Sequence, residues 1–188
     1  MAQKRRMLAR RLNGGPRPLN RAALEELALR YVGRFATTRA KLTIYLRRKV
    51  RERGWEGDRE PDPEAIAERM ADLGYIDDAS YALSKTQALT GRGYGPSRIR
   101  QSLRAAGVGQ QDSEPAEELA QAERVNAALH FVRRRRLGPY GGQPLEREAR
   151  ERALASMIRA GHGFALSQAI LALEPGSDFD IESLFESR

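Results

Sequence analysis

The chain has 188 residues, no cysteine and only two histidines, His130 and His162, which excludes a disulfide framework, a Cys-ligated zinc site and thiol catalysis. With 40% hydrophobic, 31% charged and 6% aromatic residues it can bury a core, but it favours small, well-solvated helical units over one thick globule. A formal charge of +8, and no run near the roughly 20 apolar residues that span a bilayer, point to a cytoplasmic protein with an anionic partner, nucleic acid ahead of a membrane surface.

β-Branched residues are sparse and no short window alternates apolar with polar, so the pattern is all-α. Residues 1 to 19 read as a flexible basic arm, loosened by Gly14-Gly15-Pro16. A first helix starts at Asn20 and runs to about residue 34, with Leu24, Leu27 and Tyr31 at spacings of three and four. A second starts at Thr37 or Thr38 and is closed by Gly54. Asp62 caps a third, whose first position is Pro63 and whose face carries Ile66, Met70 and Leu73 before Gly74.

The pattern then restarts. Asp77 or Asp78 opens a helix with Tyr81, Ala82 and Leu89; Gly95-Pro96 opens a short one ending at Gly107. Ser113 or Glu114 opens a long helix carrying Ala122, Val125, Leu129 and Val132 on one face, which ends at Gly138-Pro139. A further helix beyond Pro144 places Ala153, Leu154, Met157 and Ile158 inward, breaks at Gly161-His162-Gly163, and resumes from Phe164 to about Leu173. After Pro175-Gly176 the tail is acidic and expected to be loose.

Self-similarity organises these helices. Apolar pairs at i and i+4 recur at Leu42 and Leu46, Ile99 and Leu103, and Leu166 and Ile170, and Gly93-Tyr94-Gly95 is matched by Gly161-His162-Gly163. The expected architecture is an elongated array of tandem three-helix, helix-turn-helix-like repeats: residues 20 to 75, 76 to 139 and a degenerate third from 140 to 174, followed by the acidic tail 175 to 188.

Charge alternates in blocks along this array, from +13 over residues 1 to 53 to −7 over 54 to 80 and +5 over 81 to 111. Catalytic motifs are missing. The segment from Gly91 to Pro96 lacks the lysine and the preceding strand of a phosphate-binding loop and reads as helix punctuation. Asp178, Asp180 and Glu182 read as an acidic tail, and Asp77-Asp78 as a capping position. No enzyme activity, cofactor or metal is expected, which leaves binding. On the second helix Lys41, Arg47, Arg48 and Arg51 lie opposite Leu42 and Leu46; on its counterpart Arg100 and Arg104 form an i, i+4 pair beside Ile99 and Leu103. The run Arg133 to Arg136 reads equally as a solvated helix end, and Trp55 and Tyr94 as stacking residues or packing staples.

Two stretches carry a resemblance. Leu73-Gly74-Tyr75-Ile76-Asp77-Asp78-Ala79-Ser80-Tyr81-Ala82, followed by Gly93-Tyr94-Gly95-Pro96-Ser97-Arg98-Ile99-Arg100-Gln101-Ser102-Leu103-Arg104, is similar to the central signature of the bacterial RecX family. Ala28-Leu29-Arg30-Tyr31 upstream and Arg134-Arg135-Arg136-Leu137-Gly138-Pro139-Tyr140 downstream extend the likeness over residues 21 to 173. The resemblance implies a bent helical array lodged in the groove of the RecA filament on single-stranded DNA. It further implies a monomer that limits filament growth and damps strand exchange, ATP hydrolysis and the coprotease role in DNA repair and the SOS response. On that reading Arg98, Arg100 and Arg104, with Lys41, Arg47, Arg48 and Arg51, contact acidic RecA surface or DNA phosphate. The alternative is a helix-turn-helix DNA-binding protein that acts without RecA. Residues 165 to 169 depart from the pattern in carrying no basic side chain.

Overall fold

The computed structural model describes residues 17 to 179 and Leu184. The expected basic arm lies outside them up to residue 16, as do Asp180 and Glu182 of the acidic tail. The fold is all-α: the described residues form nine α-helices and one 3-10 turn. They divide into two compact units, at Asp77 and Asp78.

Unit 1 holds α1 (Arg21–Val32), α2 (Arg39–Arg53) and α3 (Pro63–Asp72). Each begins where a short polar side chain satisfies an orphan backbone N–H. Asn20 accepts from the Ala23 amide at 2.9 Å, Thr38 from Lys41 at 3.2 Å, and Asp62 from Ala65 at 2.9 Å. Thr38 is therefore the cap of α2, and Thr37 is simply buried beside it. Leu24, Ala28, Leu42, Leu46, Ile66 and Met70 close over one another as the core. Leu19 belongs to the same core. It is fully buried, and it exchanges backbone hydrogen bonds with Gly54 and Glu56 at 2.9 and 2.7 Å, so the chain is already anchored before residue 20. Leu73, expected to face inward, is 58% exposed because α3 has ended at Asp72 and the chain turns at Gly74 with a φ of +77°.

Unit 2 holds α4 (Asp78–Thr90), α5 (Pro96–Ala105), α6 (Gln110–Ala122), α7 (Arg124–Arg135), the turn Gly138–Tyr140, α8 (Arg147–Arg159) and α9 (Phe164–Ala172). Its apolar side chains sort into two clusters. Ala82, Leu89, Ile99, Leu103, Ala116 and Ala120 from α4, α5 and α6 make one. Val125, Leu129, Val132, Met157, Leu166 and Ile170 from α7, α8 and α9 make the other. The single long helix expected from Ser113 is therefore two helices. The first starts a turn earlier, at Gln110, with Pro115 inside it, and the Ser113 hydroxyl donates to the Gln110 carbonyl at 3.0 Å. The break at Glu123 lets consecutive stretches of chain serve different cores, and it leaves Ala122 exposed.

The end of the chain corrects two further expectations. Ile158 is 42% exposed, since Ala153 and Met157 already fill the inward positions of α8. The tail is docked as far as it is described. Gly176 donates to the Pro139 carbonyl at 2.9 Å, Phe179 sits edge-on to Tyr140, and Leu184 is buried in the last core. Burial of two apolar side chains outweighs the charge around them.

Gly93-Tyr94-Gly95 and Gly161-His162-Gly163, matched in sequence, meet in space. The Gly95 amide donates to the Ala160 carbonyl at 2.9 Å and the Ser97 amide to Gly161 at 3.2 Å. His162 Nε2 donates to the Gly93 carbonyl at 3.1 Å, which fixes the tautomer, because a carbonyl can only accept. Its Nδ1 is buried without a partner. Protonating that atom would bury an uncompensated charge, and burial accordingly pushes the imidazole down to about 4 from its usual 6.5. A folded value below the unfolded one means the unfolded chain takes up the proton first. The contribution is therefore complete above pH 6.5 and lost as pH falls toward 4. Between pH 6.5 and 5 the loss is expected to reach about 1.5 kcal/mol, read as a falling melting temperature whose slope flattens in His162→Gln.

Candidate interaction surfaces

The seven basic residues singled out from the sequence lie on α2 and α5, and three of them, Arg47, Arg48 and Arg100, are paired with glutamates. On α2 the apolar pair Leu42 and Leu46 is fully buried, and the basic residues Lys41, Arg47, Arg48 and Arg51 flank it on either side in sequence. Lys41 is half-buried near the N-terminus of the helix. Arg47 forms an ion pair with Glu64 of α3, and Arg48 lies 3.6 Å from Glu52 and over the Tyr45 ring at 5.7 Å. Glu52 also accepts from Lys49 at 2.7 Å, and that hydrogen bond, with the neighbouring arginines, holds its carboxyl below the usual carboxylate range. Arg51 is exposed and takes no ion pair among the described residues. Other arginines of unit 1 are paired with glutamates too. Arg21 and Arg69 share Glu25, Arg30 pairs with Glu26, and Arg39 with Glu68.

The ridge on α5 is shorter and freer. Ile99 and Leu103 point into the core, Arg98 donates to Gln101 at 2.8 Å, and Arg100 pairs with Glu117 of α6 at 2.7 Å. Arg104, one turn on, is exposed with no side-chain partner among the described residues. Exposed pairs of this kind are worth about 0 to 1 kcal/mol, so Arg47, Arg48 and Arg100 can exchange their glutamates for an outside anion at little cost.

A third basic cluster was not singled out from the sequence. Arg92, in the loop before α5, and Arg134 and Arg135, at the end of α7, surround the rings of Tyr94 and Phe131. Arg134 donates to the Arg92 carbonyl at 3.2 Å across 42 positions, a separation that no local pattern reveals. Tyr94 also packs against both cores of unit 2, so it is a staple with one face toward the arginines. Trp55, by contrast, spends its indole N–H on the Arg59 carbonyl at 2.7 Å.

Among the described residues no group of three His, Asp or Glu side chains converges as a metal site would, and no helix is long and apolar enough to cross a membrane.

No family model matches the chain. Over 174 residues it is 32% identical to Regulatory protein RecX of Myxococcus xanthus, covering 85% of this chain and 90% of that one. The chain belongs to the RecX family. RecX of Pseudomonas putida is 33% identical over 165 residues, covering 88% and 94% of the two chains, and RecX of Thermus thermophilus is 32% identical over 156 residues. The all-α fold agrees with the crystal structure of RecX from Lactobacillus salivarius at a TM-score of 0.61 and 21% identity, covering 79% of this chain and 92% of that one. The RecX relatives are named as regulatory proteins, and the central signature expected from the sequence spans the end of unit 1 and helices α4 and α5 of unit 2.

Proposed function

We propose that this RecX-family chain is a non-enzymatic regulator of RecA, a cytoplasmic monomer that binds the RecA filament on single-stranded DNA and limits its extension, strand exchange and coprotease activity. The observation that carries the reading is 32% identity to a regulatory RecX protein over 85% of the chain. Three apolar cores support a tandem of small helical units. A tandem of small units suits a long target, because many modest contacts along a filament multiply into useful affinity. The α5 ridge is the part of the predicted contact set best placed to act: Arg104 is exposed without a side-chain partner among the described residues, and Arg100 is paired only with the half-buried Glu117.

The decisive experiment adds the purified chain to RecA filaments preformed on single-stranded DNA and follows ATP hydrolysis and strand exchange. Both are expected to fall at stoichiometric amounts. Arg100→Glu with Arg104→Glu is expected to weaken that inhibition by roughly tenfold while helical content stays intact, since both side chains lie outside the core. Unchanged ATPase and strand exchange with the unmodified chain would refute the reading. Sequence-selective binding of a dimer to duplex DNA would instead favour a RecA-independent regulator.

A further inference from the structure

The cluster around Tyr94 gathers three exposed arginines, Arg92, Arg134 and Arg135, around two aromatic rings. Its guanidinium groups are held by neutral partners. Arg92 lies over the Tyr94 ring at 5.7 Å; Arg134 is tied to a backbone carbonyl. Arg135 stacks on Phe131 at 4.3 Å and donates to the Ser156 hydroxyl at 2.7 Å. All three arginines are exposed, and none meets a carboxylate among the described residues. In unit 1, Arg21, Arg30, Arg39 and Arg47 are each paired with a glutamate; here the positive field is left open.

Rigidity adds to charge. The loop that carries Arg92 is fixed by the Arg134 bond on one side and by His162 on the other. Gly93, with a φ of +81°, lets the backbone approach Phe131 so closely that a Cβ would come within 3.1 Å of its amide. Arginines positioned in this way lose little freedom on binding, which raises the affinity obtained from each contact. The hollow they wall has a volume of about 160 Å³, and a second of about 330 Å³ shares Arg92 and Tyr94 with it and continues to Arg98 on α5. Tyr94 thus stands between two cationic hollows. A single small anion would fill one of them; a flexible polyanion can occupy both.

We propose that this track, from Arg134 and Arg135 past Tyr94 to Arg92 and Arg98, is a contact site for single-stranded nucleic acid. The guanidinium forks take successive phosphodiesters, and the Tyr94 ring and the flat face of Arg135 lie under unpaired bases. Unpaired bases are needed because a duplex keeps its stacking faces to itself. The inference rests on the nucleic-acid half of the function proposed above and not on RecA.

The test uses the full chain and a fluorescein-labelled oligothymidylate, with RecA absent, and reads anisotropy across a salt series. Arg92→Gln with Arg134→Gln is expected to weaken binding roughly tenfold and to flatten the slope of log affinity against log salt by about 1.4. Arg21→Gln with Arg30→Gln, which removes two glutamate-paired arginines, is expected to leave both unchanged. Arg92→Gln alone guards against misfolding, since that side chain is exposed and lies over the Tyr94 ring outside the core; it should keep the melting temperature and still lose several-fold in affinity. Equal affinity for all variants, or displacement of the oligonucleotide by polyglutamate at equal charge, would overturn the site. The two readings separate cleanly. Loss of oligothymidylate binding alone in the Arg92, Arg134 variant supports this site whatever RecA does, and an unmodified chain that binds oligothymidylate but ignores RecA filaments sinks only the RecA reading.

Discussion

Gly161→Ala is expected to be the most damaging single substitution in unit 2, costing more than about 4 kcal/mol. Two independent reasons add. The residue sits at a φ of +94°, where any side chain is strained, and a Cβ there would lie 2.4 Å from the Arg98 backbone nitrogen and 2.9 Å from the Gly95 carbonyl oxygen. These are backbone atoms at a seam bonded from both sides, so relief requires the seam itself to open. Gly95→Ala attacks the same seam from the other side. Its φ is ordinary, but the new Cβ would fall 2.3 Å from the Gly161 carbonyl oxygen. Both variants should melt at least roughly 10 °C lower by circular dichroism. Gly163→Ala is the control, because nothing lies within 4 Å of its Cβ position and its φ is −66°. A melting temperature within a few degrees of the unmodified chain for Gly161→Ala would show that the seam is not structural.

Leu103→Ala is expected to cost about 3 to 4 kcal/mol, toward the upper part of the range for a buried leucine. The reason lies in its neighbours. The core formed by α4, α5 and α6 is lined by Ala82, Ala106, Ala116 and Ala120, so among its buried residues the bulk comes from Leu89, Ile99, Leu103 and Val108. Alanines cannot lean in to fill the gap that a lost leucine leaves, and the cavity term stays nearly whole. Urea denaturation gives the value. Leu73→Ala, at a side chain 58% exposed, should change stability by less than about 0.5 kcal/mol, and equal losses at the two positions would contradict the packing described for α5.

Much of this architecture was legible in the sequence, and the boundary between the readable and the unreadable is physical. Helix starts are decided within four residues, so Asn20, Asp62 before Pro63, and Gly95 before Pro96 announced themselves. The apolar pairs of the second helices were visible for the same reason. The break at Glu123 was not, because residues on both sides favour helix and the choice between two cores is tertiary. The neutralisation of Arg47 by Glu64 and of Arg100 by Glu117 joins separate helices, and the helix pattern gives no sign of it. The Arg92 cluster escaped for a related reason: four arginines in a row read as a solvated helix end until α7 is seen to lie against the loop at Gly93. The glycine triplets punctuate helices locally, yet their contact with each other joins residues more than 60 positions apart, beyond any local pattern.

Co-sedimentation of the full chain with RecA filaments on single-stranded DNA, repeated across a salt series, tests the central claim most directly. The chain is expected to pellet with the filament near stoichiometric ratios at low salt and to be released steeply as salt rises, as contacts made by arginine to phosphate and carboxylate require. A chain that stays in the supernatant at every salt concentration, while still folded and binding oligothymidylate, would contradict it.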